Sequence, residues 1–148
     1  MATFMQIALN EARLAARRGE VPVGAVLVDA AGTIVAQDGN QTEALHDPTA
    51  HAEMLVLRAA TAKLQTPRLT DCDLYVTLEP CAMCAAAISF ARIRRLYFAA
   101  YDPKGGGIEH GGRFYAQPTC HHAPEVVGGI EEHDAALILK EFFGQLRK

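Results

Sequence analysis

Asp73-Leu74-Tyr75-Val76-Thr77-Leu78-Glu79-Pro80-Cys81-Ala82-Met83-Cys84 decides how the chain folds, because its character changes halfway along. Asp73 to Thr77 reads as a buried strand, rich in residues that suit a pleated surface. Leu78-Glu79-Pro80 breaks it. An Ala-rich helix then runs from Cys81 to Ala91, with Pro80 suited to its opening. Cys81 and Cys84 fall one turn apart on one face of that helix.

Upstream, Asn40 to Pro48 is polar and loop-like, and Thr49 to Ala62 places Ala, Met, Leu and Val at helical spacing. His51 and Glu53 are then expected in that helix's first turn. Residues two apart on a helix point about 200° apart, so they share a target only at a helix tip, by converging on a point beyond it. Further upstream, Phe4, Ile7, Ala8, Leu14 and Ala15 mark an amphipathic helix that stops at Gly19. Val23 to Val28 and Thr33 to Ala36 flank the turn-like Asp29-Ala30-Ala31-Gly32 as a β-hairpin.

Downstream, Leu96 to Ala100 is a strand candidate and Asp102 to Gly112 a Gly-rich stretch too flexible for a regular element. Val126-Val127 is a weak strand signal, and Ile130 to Leu146 an amphipathic helix carrying Leu137, Ile138, Phe142 and Leu146. Strands alternating with helices imply a three-layer α/β/α sandwich. The expectation is one mixed sheet of about five strands with helices on both faces, in a single domain over residues 1–148.

Composition excludes several classes. Half of the 148 residues are hydrophobic, which argues against disorder. No apolar run approaches the roughly 18 residues of a membrane span, and Gln6, Asn10, Glu11 and Arg13 interrupt any signal-like pattern, so no membrane association and a cytoplasmic location are expected. The four cysteines include a Cys-x-x-Cys pair, which fits reduced thiols and a metal better than two disulfides. A net charge of -3 argues against a general phosphate-neutralising protein, and no DNA partner is expected. Residues 92–122 nevertheless set Arg92, Arg94, Arg95, Lys104 and Arg113 against only Asp102 and Glu109, so a local basic patch is compatible with the acidic whole.

His51, Cys81 and Cys84 supply three zinc-type ligands, and Glu53 remains as a spare carboxylate. Structural zinc is normally closed by four protein ligands, whereas hydrolytic zinc keeps three and leaves one position for water. Helix tips favour thiolate over thiol. Glu53 is well placed to move protons between a metal water and a substrate nitrogen, which makes it the candidate general acid and base. The competing reading is a closed Cys₃His site that recruits Cys72 or Cys120 and leaves Glu53 as a helix-capping residue.

The segments Asp47-Pro48-Thr49-Ala50-His51-Ala52-Glu53 and Tyr75-Val76-Thr77-Leu78-Glu79-Pro80-Cys81-Ala82-Met83-Cys84 resemble the cytidine and deoxycytidylate deaminase superfamily, most closely its branch of bacterial tRNA-specific adenosine deaminases. The resemblance extends to Glu20-Val21-Pro22-Val23-Gly24-Ala25-Val26-Leu27-Val28 and to the terminal helix, and the paired motif is the established signature of zinc-dependent nucleobase deaminases. It implies a cytidine-deaminase-like fold, one Zn²⁺ per subunit, a homodimer, and a tRNA anticodon loop as partner. It implies hydrolytic deamination of adenosine to inosine at wobble position 34, in which a hydroxide on the zinc attacks C6 and Glu53 shuttles the proton.

The resemblance also carries candidate substrate contacts. Asn40 would meet the flipped nucleotide, although an Asn there also suits a turn. Val21 and Pro22 would wall the base, although Pro22 also suits a strand entry; Leu78 and Glu79, preceding the ligand helix, would shape the site floor, although Glu79 also suits a structural acceptor; and backbone N–H groups near Ala52 and Cys81 would hold the reacting oxygen. Asp102 would accept a bond from a ribose hydroxyl, although an Asp before Pro103 also suits a turn start, and His122, in a His121-His122 pair, would contact a flanking base, although surface or packing histidines fit the same residues. Two departures stand out: Ala86 replaces a glycine common among relatives, and the chain closes at Leu146-Arg147-Lys148 without a long basic tail. The second points to local recognition of splayed loop bases. The alternatives are a deaminase of a free base or nucleoside, of guanine or cytosine type, and a non-catalytic zinc-stabilised RNA-binding module.

Overall fold

The computed structural model describes residues 1–146 and contains the expected sandwich. In chain order the elements are α1 (Phe4–Arg17), β1 (Gly24–Val28), β2 (Ile34–Gly39), α2 (Ala52–Leu64), β3 (Asp73–Leu78), α3 (Ala82–Phe90), β4 (Arg95–Ala100), a 3₁₀ turn (Phe114–Ala116), β5 (Glu125–Val127) and α4 (Glu132–Leu146). The sheet order is β2-β1-β3-β4-β5. β1 runs antiparallel to both β2 and β3, while β3, β4 and β5 run parallel.

Side-chain alternation along the strands fills two cores. Ala25 and Leu27, Leu74 and Val76, and Leu96 and Phe98 point to one face, where Ala52, Val56 and Ala60 of α2 and Ala85 and Ile88 of α3 cover them. Val26, Val28 and Ala99 point to the other, beneath Met5, Ala8 and Leu9 of α1 and Ala135 of α4. With both faces covered, every residue of β1 is buried, which explains its unbroken apolar run. α1 lies so close that a Cβ at Gly24 would strike the backbone of Ala8 and Ala12.

Several boundaries differ from the sequence reading, among them α2, which runs Ala52–Leu64 and not from Thr49 to Ala62. β2 continues past Ala36 to Gly39, because an edge strand tolerates polar residues such as Gln37 and Asp38, which carry no apolar strand pattern. The last helix begins at Glu132, not Ile130, after Glu131 with a left-handed φ of 57°.

The topology brings one set of chain ends together. The starts of β1 and α2 and the ends of β2, β3 and β4 all lie at the same edge of the sheet. Open α/β sheets bind ligands at the carboxyl ends of their parallel strands, and β3 hands directly to α3 there.

Candidate active site

His51 is the N-cap of α2, with extended backbone (φ -69°, ψ 153°), and Cys81 is the N-cap of α3 (φ -70°, ψ 175°). His51 thus precedes the helix and is not in its first turn. The later start, at Ala52 and not Thr49, removes the angular conflict with Glu53, since a cap residue has non-helical backbone and aims its side chain independently. Neither side chain caps its own helix, so both are free to face each other.

His51 Nδ1 lies 3.6 Å from Cys81 Sγ and 3.5 Å from Cys84 Sγ. A tetrahedral zinc, about 2.05 Å from nitrogen and about 2.3 Å from sulfur, holds such atoms about 3.6 Å apart. The triad fits zinc in distance as well as in donor chemistry, with one coordination position left over. Among the described residues it is the only such cluster, and neither Cys72 nor Cys120 belongs to it. Cys72 is buried in the core beside Leu69 and Leu74, and Cys120 faces Ser89 Oγ at 3.7 Å. The closed Cys₃His arrangement therefore finds no fourth ligand here.

A bond from the Cys84 thiol, opposed by burial and aided by His51, holds the Cys81 thiol down at about 4. The same contact with Cys81 and its own burial push Cys84 up, and Cys81 raises His51. Glu53 is 4% exposed. Burial pushes its carboxyl up to about 7, against a bond from its own backbone N–H. A carboxyl poised near neutrality suits proton transfer.

A cavity of about 310 Å³ opens onto this group. His51, Ala52, Glu53 and Cys81 form one side, and Val21, Asn40, Leu78 and Asp102 complete it, so most of the expected contacts converge. Cys84 is fully buried behind. Pro22 is buried and does not line the cavity, although its neighbours Val21 and Val23 do. His122 also lies off the wall: its Nε2 donates to the Ile93 carbonyl at 2.8 Å. Val23, Thr42 and Gly105 line the cavity without having been singled out. Thr42 sits in a polar loop with no local signal beyond its composition.

Glu79 explains the loop after β4. Its side chain is fully buried and accepts N–H bonds from Asp102 (3.0 Å), Ile108 (3.2 Å), Glu109 (2.9 Å) and His110 (3.2 Å), with His110 Nδ1 at 2.8 Å. Burial pushes the carboxyl up, but these donors more than offset it and leave it below its ordinary value. Residues 102–112 form no helix or strand, as expected. They are not loose, however, because they wind around a buried carboxylate. A Cβ at Gly106 would strike that carboxylate, and one at Gly107 would meet Ala82 N at 2.7 Å.

The arginine cluster lies elsewhere. Arg94 makes a bidentate pair with Asp73 (3.0 and 2.9 Å), and Arg95 pairs with Glu125 at 3.0 Å. These groups flank the starts of β3, β4 and β5, at the opposite edge of the sheet from the cavity.

Residues 1–100 match the family profile of the cytidine and deoxycytidylate deaminase zinc-binding region. Over 144 residues the chain is 60% identical to the tRNA-specific adenosine deaminase of Agrobacterium fabrum, covering 97% of this chain and 94% of that one. A solved structure from studies of A-to-I editing by tRNA:A34 deaminases at the wobble position of transfer RNA superimposes with a TM-score of 0.90. It is 61% identical and covers 92% of this chain and 98% of the other. The guanine deaminase of Bacillus subtilis is more distant, with a TM-score of 0.66 and 31% identity over 97% of this chain and 91% of that one.

Proposed function

The chain belongs to the cytidine and deoxycytidylate deaminase family, and from that membership and the site we infer that it is a tRNA adenosine deaminase, converting adenosine at wobble position 34 to inosine. The observation that carries this is 60% identity along nearly the whole chain to a tRNA-specific adenosine deaminase. The preformed His-Cys-Cys triad beside a buried carboxyl supplies matching chemistry.

The reaction exchanges the 6-amino group for oxygen. Water adds to C6, the C6–N bond breaks, and ammonia leaves, so no redox partner is needed. His51 Nδ1, Cys81 Sγ and Cys84 Sγ would hold one zinc per subunit, which when bound supplies a Lewis acid that lowers the pKa of a coordinated water toward neutrality. Glu53 takes a proton from the attacking water, delivers it to ring N1, and returns a second to the departing nitrogen. Its burial keeps bulk water from competing for those protons.

Val21 and Leu78 wall the base, with Pro22 setting the backbone behind Val21. The Ala52 N–H, one of the unpaired groups at the tip of α2, stabilises negative charge developing on the oxygen at C6. Asn40 holds the flipped nucleotide, and Asp102 accepts from a ribose hydroxyl. His122 has its Nε2 engaged by Ile93 and keeps only its other edge for a flanking base.

We read the chain as one zinc deaminase domain that works as a homodimer in the cytoplasm. An open apolar groove between α2 and α3, lined by Met54, Leu57 and Ala87 and ending at a 74% exposed Phe90, supports the pairing. No helix among the described residues is long and apolar enough to cross a membrane.

Replacing Glu53 by Gln separates catalysis from mere RNA binding. Retained zinc with turnover reduced at least about 10²-fold is expected, and turnover equal to wild type would defeat the catalytic reading.

A further inference from the structure

Glu20 is only 1% exposed, and the chemistry above does not use it. Its Oε2 accepts the Ala44 N–H at 2.8 Å, while Oε1 accepts the Glu43 N–H at 3.1 Å and faces the Thr42 hydroxyl at 3.5 Å. All three partners are neutral. Burying a carboxylate costs free energy unless its lone pairs are engaged, so this arrangement specifies the geometry around it.

Glu20 belongs to the connection between α1 and β1, whereas residues 42–44 belong to the connection between β2 and α2. The first connection gives the cavity Val21 and Val23, and the second gives it Asn40 and Thr42. Two other direct ties join them, from Asn40 N–H to the Val23 carbonyl at 3.0 Å and from the Arg18 guanidinium to the Asn40 carbonyl at 3.3 Å, and neither reaches residues 42–44. The carboxylate is thus the side-chain clasp on residues 42–44, tying that wall to the first. Glu79 performs the same task across the cavity, following Leu78 and gripping the loop that carries Asp102 and Gly105.

We propose that Glu20 is a positioning residue for the nucleotide, a buried clasp that holds the Asn40 and Thr42 wall at its distance from Val21 and Val23. This rests on the reading that the cavity takes the wobble adenosine. A carboxylate is required because it accepts at both oxygens. An amide of the same shape would turn NH₂ toward one of the two backbone N–H groups and release that part of the loop.

The test is steady-state deamination of an anticodon stem-loop RNA bearing adenosine at position 34, with Glu20→Gln and Thr42→Val beside wild type. Zinc content and amide hydrogen exchange are measured on the same samples. Glu20→Gln is expected to raise KM about tenfold and change kcat less than about threefold, the split produced by lost binding rather than lost chemistry. The Glu43 and Ala44 amides should exchange faster, with zinc retained. Thr42→Val keeps the carboxylate and should raise KM by a smaller factor. An active wild type with KM unchanged in Glu20→Gln would overturn the role of Glu20 alone, as would loss of zinc or of fold in that variant. A wild type that makes no inosine would overturn the substrate reading, and this inference with it.

Discussion

His51 Nδ1 and Cys84 Sγ stand 3.5 Å apart although 33 positions separate them in sequence. The contact joins the tips of two helices packed on one face of the sheet, so the fold itself delivers the ligand spacing. The site is prebuilt, and its behaviour should follow from which side chains belong to it.

Cys81→Ser or Cys84→Ser should therefore abolish stoichiometric zinc and reduce turnover at least about 10³-fold, because a hydroxyl is a poor substitute for a thiolate toward zinc. Cys72→Ser and Cys120→Ser should retain the metal, since neither residue joins the cluster. Elemental analysis of the four purified variants checks this.

Glu79→Gln should destabilise the protein by about 1–3 kcal/mol, because an amide cannot satisfy the donors that the carboxylate accepts. The pH dependence has a definite sign. A carboxyl whose folded value lies below its ordinary 4.5 contributes stability that is fully present above 4.5 and is lost as pH falls through the lowered value. The gap in melting temperature between wild type and variant should be widest near neutrality and shrink in acid; a gap that widens in acid would contradict the account.

Gly107→Ala should cost about 1–3 kcal/mol and weaken zinc retention, because the added methyl meets the backbone of Ala82 and Cys81 rather than a movable side chain. Thermal melting and the rate of zinc loss to a chelator report the two effects. Unchanged values would mean that the loop can withdraw from α3 at no cost.

Arg94→Ala and Arg95→Ala should leave KM for the stem-loop within about twofold, since exposed ion pairs contribute little and these lie at the far edge of the sheet. Asp102→Ala, at the cavity wall, should raise it about tenfold if one ribose hydrogen bond is lost. A large effect at Arg94 or Arg95 would place an RNA path across the opposite edge.

Four helices and four strands were legible from periodicity and breakers, because each presents a regular apolar pattern, whereas β5, three residues with none fully buried, gave only a weak signal. The cap assignments were not. His51 is not a residue type that marks an N-cap, and Thr49 two positions earlier is, so the helix read as starting too soon. The metal triad was legible because its ligands are chemically distinctive and sit on helix tips. The cavity wall was less so: Thr42 and Gly105 owe their places to Glu20 and Glu79, whose partners lie 22 to 31 positions away. Nothing local to either loop announces a distant carboxylate. The arginines show the converse: the local positive charge of residues 92–122 says nothing of position, and Arg94 and Arg95 lie paired with Asp73 and Glu125 at the edge of the sheet away from the cavity.

Inosine formation in RNA separates a tRNA adenosine deaminase from a deaminase of free bases. Zinc-loaded protein is incubated with an anticodon stem-loop bearing adenosine at position 34 and, separately, with free adenosine, guanine and cytosine, and the products are resolved by mass. A tRNA adenosine deaminase converts that single adenosine to inosine one-to-one with release of ammonia, and gives no comparable turnover of the free compounds. Deamination of a free base with the stem-loop left intact would contradict that assignment.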